Sequence, residues 1–197
     1  DEIVKELQKE IGNLKLFSKK ECFGYAAALR TGFKNSTKEL IFYTDGDRQF
    51  DIKELDKLLP LIDQYDIVTG FKIKRRDPLM RIWMSFLYNL VMKLLFSLKV
   101  KDLNCAFKLY RRQVIDEVNF LPEITNGIIN AEIYLTALKK GYTIGEIGVH
   151  HFHRTKGFAS AEFGKRGKII ALVKPGVILD HFVDIFNLWK KMRKFTS

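Results

Sequence analysis

The segment FYTDGDRQFD, residues 42–51, sets Asp45, Asp47 and Gln49 at alternate positions directly behind a run of apolar residues. Oxygen ligands at this spacing suit Mg²⁺ or Mn²⁺ shared with a substrate diphosphate. Gly46, between the two acids, is expected to give the turn its backbone freedom and to let a ligand approach closely. Asp-Gly pairs also occur in ordinary turns, so the pair alone defines no site. An apolar strand before it and a helical segment after it strengthen the reading, because open α/β sheets bind ligands at the carboxyl ends of their strands.

The elements that must position these residues follow from hydrophobic periodicity. Ile3, Val4, Leu7 and Ile11 recur at helical spacing in a surface helix over Asp1 to Glu10, stopped by Gly12 and Asn13. LKLF reads as a short strand, Ala26 to Phe33 as a helix, and ELIFYTD as a buried strand running into Asp45. Ile52 to Ile62 has helix periodicity and YDIVTGF is again a strand, giving a β-α-β-α-β rhythm and hence an α/β layered fold with a largely parallel sheet. Pro78 opens LMRIWMSFLYNLVMKLLFSLKV, a helix whose apolar content is interrupted by Arg81, Ser85, Asn89 and Lys93. Those polar groups argue against a membrane span and leave a core helix or an interfacial helix with one face on lipid. DLNCAFKLYRR is a strand turning into a helix near Gln113, NAEIYLTALKKG is a helix ended by Gly141, and GEIGVHHF is a strand. The tail from Ile169 to Trp189, broken by Pro175, Gly176, Asp180, His181 and Asp184, reads as an amphipathic helix.

At 197 residues, with 47% hydrophobic and 13% aromatic content, the chain has the size and apolar surface for one domain with one sizeable core. Its net charge of +11, from 34 Lys and Arg against 23 Asp and Glu, favours an anionic partner such as a phosphate group, a nucleic acid or a membrane surface. Two isolated cysteines, Cys22 and Cys105, support neither a disulfide framework nor a zinc knuckle and fit a reducing compartment. The opening run DEIVKELQKE lacks the pattern of a signal peptide. His150, His151 and His153 raise the possibility of a metal site, but strand alternation puts only His151 and His153 on one face, so a structural or substrate-adjacent role is expected.

Taken in order, GYAAALRTGF, ELIFYTDGDRQFD, YDIVTGFKIKRRDPLMRIWMSFLYN, DLNCAFKLYRR and EIGVHHFHRTKGFAS resemble the successive blocks of family 2 glycosyltransferases. The branch they are most similar to includes dolichol-phosphate mannosyltransferase and bacterial polyprenyl-phosphate glycosyltransferases. The resemblance implies a GT-A-like, nucleotide-diphospho-sugar transferase fold with a mostly parallel central sheet flanked by helices. The family begins with a strand and an acidic loop for the base and ribose, and this sequence is expected to start after that unit. Residues 1–168 are accordingly expected to form the catalytic domain and residues 169–197 a C-terminal amphipathic helical tail.

By the same resemblance, Asp45, Asp47 and Gln49 hold the metal and the donor diphosphate, while Arg81 and Ser85, in the R-x-x-x-S stretch after the D-P pair, receive the acceptor phosphate. Arg154, in an R-x-x-G segment with Lys156 and Ser160 nearby, lies near the phosphates of donor and acceptor; the planar fork of an arginine pairs well with phosphate oxygens. Asp102 matches the acid of the family's D-x-x-x-G-F block beside the sugar pocket, with Ala106 in place of the expected glycine. Glu132 matches an acidic residue that faces the pocket, and Asp47, Asp102 and Glu132 are the carboxylates expected to carry catalysis.

The implied reaction is an inverting, metal-dependent displacement at the anomeric carbon of a nucleotide sugar, with a dolichyl or undecaprenyl phosphate as acceptor. Peripheral attachment to the cytoplasmic face of a membrane goes with it. A hydroxyl acceptor in polysaccharide or glycolipid synthesis is the competing reading, and it needs Glu132 or Asp102 as base. A nucleic-acid partner is not expected, since the chain shows no reader motif and no aromatic stacking platform.

Overall fold

The computed structural model describes residues 2–17, 24–73, 77, 79–153, 162–163, 172–173 and 175–194, without the side chains of residues 80, 81, 162, 163, 172, 173, 175–180 and 194. The helices are α1 (Glu2–Glu10), α2 (Tyr25–Asn35), α3 (Leu79–Phe96), α4 (Arg112–Asp116), α5 (Ile128–Lys139) and α6 (Pro175–Lys194). The strands are β1 (Leu40–Thr44), β2 (Ile67–Ile73), β3 (Phe107–Arg111), β4 (Ile144–His150) and the short pair β5 (Glu162–Phe163) and β6 (Leu172–Val173).

The central sheet has the order β1-β3-β2-β4. β2 and β4 are parallel, whereas β3 lies antiparallel to both β1 and β2, so β1, β2 and β4 share one direction and β3 runs against them. Three strands thus run in the common direction expected from the sequence, but the sheet is mixed: with β3 reversed between β1 and β2, only β2 and β4 pair in parallel. That reversal has a consequence for chemistry: Thr44 pairs with Phe107, so the residues that precede β3 lie at the same edge as the residues that follow β1.

Strand alternation distributes the core over both faces of the sheet. Ile41, Ile67 and Tyr110 pack with α2, α4, α5 and α6, while Val68, Phe107, Leu109 and Val149 pack against Leu58 and Ile62 on the other side. Helix α5 is buried from Ile128 through Ala137, its polar Asn130, Glu132 and Thr136 included. Its end is where the sequence places it: Gly141 has φ +85°, and Tyr142 N donates to Ala137 O at 3.0 Å. Helix α6 joins the same core through Leu188 and Met192.

Two local expectations are corrected. LKLF, residues 14–17, forms no strand among the described residues, because strand propensity acts only where a ladder is present to receive it. Ile52 to Ile62 is two 3₁₀ turns, Ile52–Lys57 and Leu59–Leu61, and not an α-helix. Pro60 explains this, since inside an α-helix its ring would meet the carbonyl four residues earlier.

Helix α3 is amphipathic to an unusual degree of exposure. Met92 is buried and Asn89 turns inward, but Leu79, Trp83, Phe86, Leu87, Leu94 and Leu95 are exposed, Trp83 at 68% and Leu94 at 74%. No described helix is long and apolar enough to cross a membrane.

Candidate active site at the carboxyl edge of the sheet

Beyond Thr44 the chain turns through Asp45, Gly46, Asp47, Arg48 and Gln49. Asp45 is exposed and Asp47 half-buried, and Tyr43 Oη donates to Asp45 Oδ1 at 3.0 Å. Asp47 Oδ1 accepts from Gln49 N at 3.0 Å, which closes the turn. The left-handed residue is Arg48, with φ 61°, and not Gly46, whose φ is not positive. A non-glycine residue held at positive φ is a costly conformation that clusters at functional sites.

Gln49 is buried and laced to the chain that follows β4: its Nε2 donates to Phe152 O at 3.0 Å, and Phe152 N donates to Gln49 O at 2.9 Å. A second tie runs through Glu54 in the first 3₁₀ turn, which accepts from His150 N at 2.8 Å and contacts His150 Nδ1 at 2.6 Å and Lys57 Nζ at 2.7 Å. Burial by itself would raise Glu54, but the bonds from His150 and Lys57 outweigh it and hold the carboxyl below its ordinary value. His151 is buried, lies 3.6 Å from Asp77 and packs on Phe50. The histidines thus join the ends of β2 and β4 to the Asp45–Glu54 segment. No group of three His, Cys, Asp or Glu suited to a metal occurs among the described residues.

Asp102 reaches the same edge because β3 is reversed. It is 5% exposed, and Lys72 of β2 donates to its Oδ2 at 3.0 Å. Its loop is fastened from several sides: Glu146 accepts from Lys101 N at 2.7 Å, Asn89 of α3 accepts from Leu103 N at 3.1 Å, and Lys108 donates to Leu103 O at 2.9 Å. Ala106 sits in this loop without a positive φ and is buried, so the missing glycine leaves the backbone unstrained.

Lys108 is fully buried, with Tyr134 Oη at 2.8 Å as a second partner, and burial pushes its pKa down to about 8 from 10.5. A depressed lysine is fully favourable above its unfolded value, and the benefit is lost as pH falls through the folded one. Between pH 8 and 10.5 the unfolded chain holds a proton that the folded chain has shed, so stability rises with pH in that window. Denaturant unfolding of the wild type and Lys108→Met at pH 7.5 and 10 should show the wild type gaining about 2 kcal/mol relative to the variant, since one pKa unit is worth about 1.4 kcal/mol.

The remaining predicted residues divide. Ser85 is half-buried on α3, one turn after Arg81; the Arg81 side chain lies outside the described residues, as do Arg154, Lys156 and Ser160. Glu132 is a correction. It is 0% exposed and engaged by Leu121 N at 2.7 Å and Lys191 Nζ of α6 at 2.9 Å, so its described partners lie in the core rather than at the Asp45–Asp102 edge. The helix starts at Ile128, not at Asn130, which carries Glu132 past the first turn and puts Asn130 at the edge, 3.4 Å from Asn104. Lys72, Asn89, Lys108 and Asn130 escaped the sequence reading as site-forming residues. The polar interruptions of α3 were the signal the sequence offered for Asn89.

This arrangement, three co-directional strands and one reversed strand flanked by helices, is a GT-A-like fold. The structure aligns with glucosyl-3-phosphoglycerate synthase from Mycobacterium tuberculosis at a TM-score of 0.58 and 11% identity, covering 77% of this chain and 57% of that one. The profile of Glycosyl transferase family 2 matches residues 1–118, and the chain belongs to that family. Among curated relatives, dodecaprenyl-phosphate galacturonate synthase of Rhizobium johnstonii is 26% identical over 151 residues, 75% of this chain and 44% of its own length. Undecaprenyl-phosphate 4-deoxy-4-formamido-L-arabinose transferase of Pseudomonas paraeruginosa is 30% identical over 113 residues, 53% of this chain and 33% of its own length. The chain thus spans between a third and a half of the length of these relatives.

Proposed function

We propose that this chain carries the transfer site of a metal-dependent, inverting glycosyltransferase that moves a sugar from a nucleotide-sugar donor to a polyprenyl phosphate, dolichyl or undecaprenyl. The observation that carries this reading is the convergence of Asp45, Asp47, Gln49 and Asp102 at one sheet edge. The names of the curated relatives, both polyprenyl-phosphate enzymes, support the acceptor class.

The donor set fits a hard divalent ion, Mg²⁺ or Mn²⁺: two carboxylates on one turn and an amide whose nitrogen is committed to Phe152 O, orienting its oxygen away from that bond. When bound there, such an ion supplies charge stabilisation for the departing nucleoside diphosphate. Tyr43 orients Asp45, the Asp47 to Gln49 bond sets the turn, and Lys72 holds the Asp102 carboxylate at 3.0 Å. Arg81, Ser85 and Arg154 are assigned to the acceptor phosphate. A phosphate oxygen is already anionic near pH 7, so no strong general base is required. The hydroxyl-acceptor alternative loses one of its two bases, because Glu132 is sealed in the core.

The exposed apolar flank of α3 suits burial in a membrane surface, where the acceptor lipid resides. We place the protein peripherally on the cytoplasmic face, in keeping with a sequence that has only two, isolated cysteines. The test is full-length protein with Mn²⁺ or Mg²⁺, a panel of nucleotide sugars and a polyprenyl phosphate in detergent. Divalent-dependent labelling of the lipid is expected. Undiminished transfer in excess chelator, or transfer to hydroxyl acceptors alone, would overturn the reading.

A further inference from the structure

Asn89 stands in the middle of α3 with its amide turned inward. Helical spacing puts Ser85, Asn89 and Met92 on one face, Met92 buried and the other two half-buried, while Trp83, Leu87, Leu90 and Leu94 form the exposed opposite flank. Asparagine is a poor residue for a helix interior, because its side chain competes with the backbone for hydrogen bonds. Here that capacity is used twice. Nδ2 donates to Ser85 O, one turn back, at 2.9 Å, which fixes the rotation of the amide, and Oδ1 accepts from Leu103 N at 3.1 Å. An amide can do both at once, since it carries donors at one end and an acceptor at the other.

The second bond reaches the residue next to Asp102. The stretch from Lys101 to Ala106 belongs to no helix or strand, and its turn bond from Cys105 N to Asp102 O is long, at 3.3 Å. Side chains from three other elements hold it. Glu146 of β4 accepts from Lys101 N at 2.7 Å. Leu103 is gripped at both of its backbone polar groups, the N–H by Asn89 and the carbonyl by the fully buried Lys108 of β3 at 2.9 Å. Asp102 thus sits between two residues whose backbone positions are set from outside the loop. Glu146 and Lys108 belong to the sheet, the same frame that carries Asp45, Asp47 and Gln49 just beyond β1. Asn89 belongs to the helix that carries Ser85, assigned above to the acceptor phosphate, and the exposed apolar flank.

We infer that Asn89 is a positioning residue for transfer: by tying Ser85 O to Leu103 N it fixes the acceptor helix against the Asp102 loop, and so sets where the Asp102 carboxylate stands relative to the incoming phosphate. This rests on the sugar-transfer reading above and adds the residue that holds its acceptor and donor halves in register. Reactants held in a near-attack geometry lose much of their rate when one is displaced by about 1 Å, so a hydrogen bond outside the reacting groups carries a large effect.

The test is a double-mutant cycle in full-length protein in detergent, with Mn²⁺, undecaprenyl phosphate and UDP-glucose, UDP-galacturonate or GDP-mannose as donor. Asn89→Leu roughly keeps the volume and removes both bonds; it should lower kcat about 10- to 100-fold while calorimetric binding of the donor changes by less than about threefold. The deciding comparison is with Asp102→Asn. If Asn89 acts through Asp102, the double variant transfers sugar within about threefold of Asp102→Asn alone, whereas a general loosening of the fold multiplies the two defects. Asn89→Ala takes the same place in the cycle if the leucine variant does not fold. Multiplied defects, an unchanged kcat in the Asn89 variants, a loss confined to donor binding, or an Asp102→Asn protein as active as the wild type overturns the inference and leaves lipid-linked transfer standing. Wild-type protein that transfers sugar from none of the three donors removes both.

Discussion

Asp47→Ala lowers sugar transfer at least 10²- to 10³-fold, the size of effect seen when a group that stabilises developing charge is removed. Asp47 does two things in the turn. Its carboxylate supplies one of the oxygen donors proposed for a divalent ion, and its Oδ1 holds Gln49 N at 3.0 Å. Alanine removes both. Asp47→Asn retains an acceptor for Gln49 N while losing the charge, so it separates the roles: if the charge matters most, the asparagine variant is nearly as impaired as the alanine one. The residue is only half-buried and belongs to neither core cluster, so the melting temperature should move little, by less than about 1 kcal/mol of stability. The measurement is kcat/KM across a Mn²⁺ titration alongside thermal unfolding. An Asp47→Ala protein working within about threefold of the wild type would remove the turn from the transfer chemistry.

Lys191→Met produces the largest change in stability, about 3 to 5 kcal/mol, by leaving Glu132 buried without its counter-charge. Glu132 is fully buried, and burial raises its pKa even with Lys191 at 2.9 Å. An acid with a raised folded pKa is most favourable below its unfolded value of 4.5 and loses that benefit as pH rises through the folded one. The penalty of Lys191→Met should therefore shrink as pH is lowered toward 4.5, where Glu132 takes up a proton. Adding Glu132→Leu to Lys191→Met should recover most of the loss, because a buried ion pair exchanged for apolar groups is often close to neutral. Urea unfolding of the two single variants and the double variant checks this. Additive losses would mean that the two side chains do not act as a pair. The same cycle bears on the chemistry: a folded double variant that keeps transfer activity excludes Glu132 as a catalytic base.

Much of the architecture was readable from short windows. The strands at ELIFYTD, YDIVTGF and GEIGVHHF, the α5 stop at Gly141 and the placement of Asp45, Asp47 and Gln49 just past a strand end depend on periodicity and turn chemistry within a few residues. Those signals do not need the rest of the fold. Pro60 shows the limit even there: the apolar spacing of Ile52 to Ile62 is helical, but one ring converts the segment to 3₁₀ turns.

What the tertiary structure alone decided is which side chains meet. The direction of β3 is not written in FKLYR, yet it brings Asp102 to the Asp45 edge. Glu132 looked like a pocket acid until Lys191, 59 residues away, claimed it. The Tyr25 and Asn130 encounter spans 105 residues, and the sequence carries no mark of it. Local composition sets the backbone of each element because propensity and capping act over a few residues, whereas pairing across the sheet and between helices is chosen by the packing of the whole core, which no single window contains.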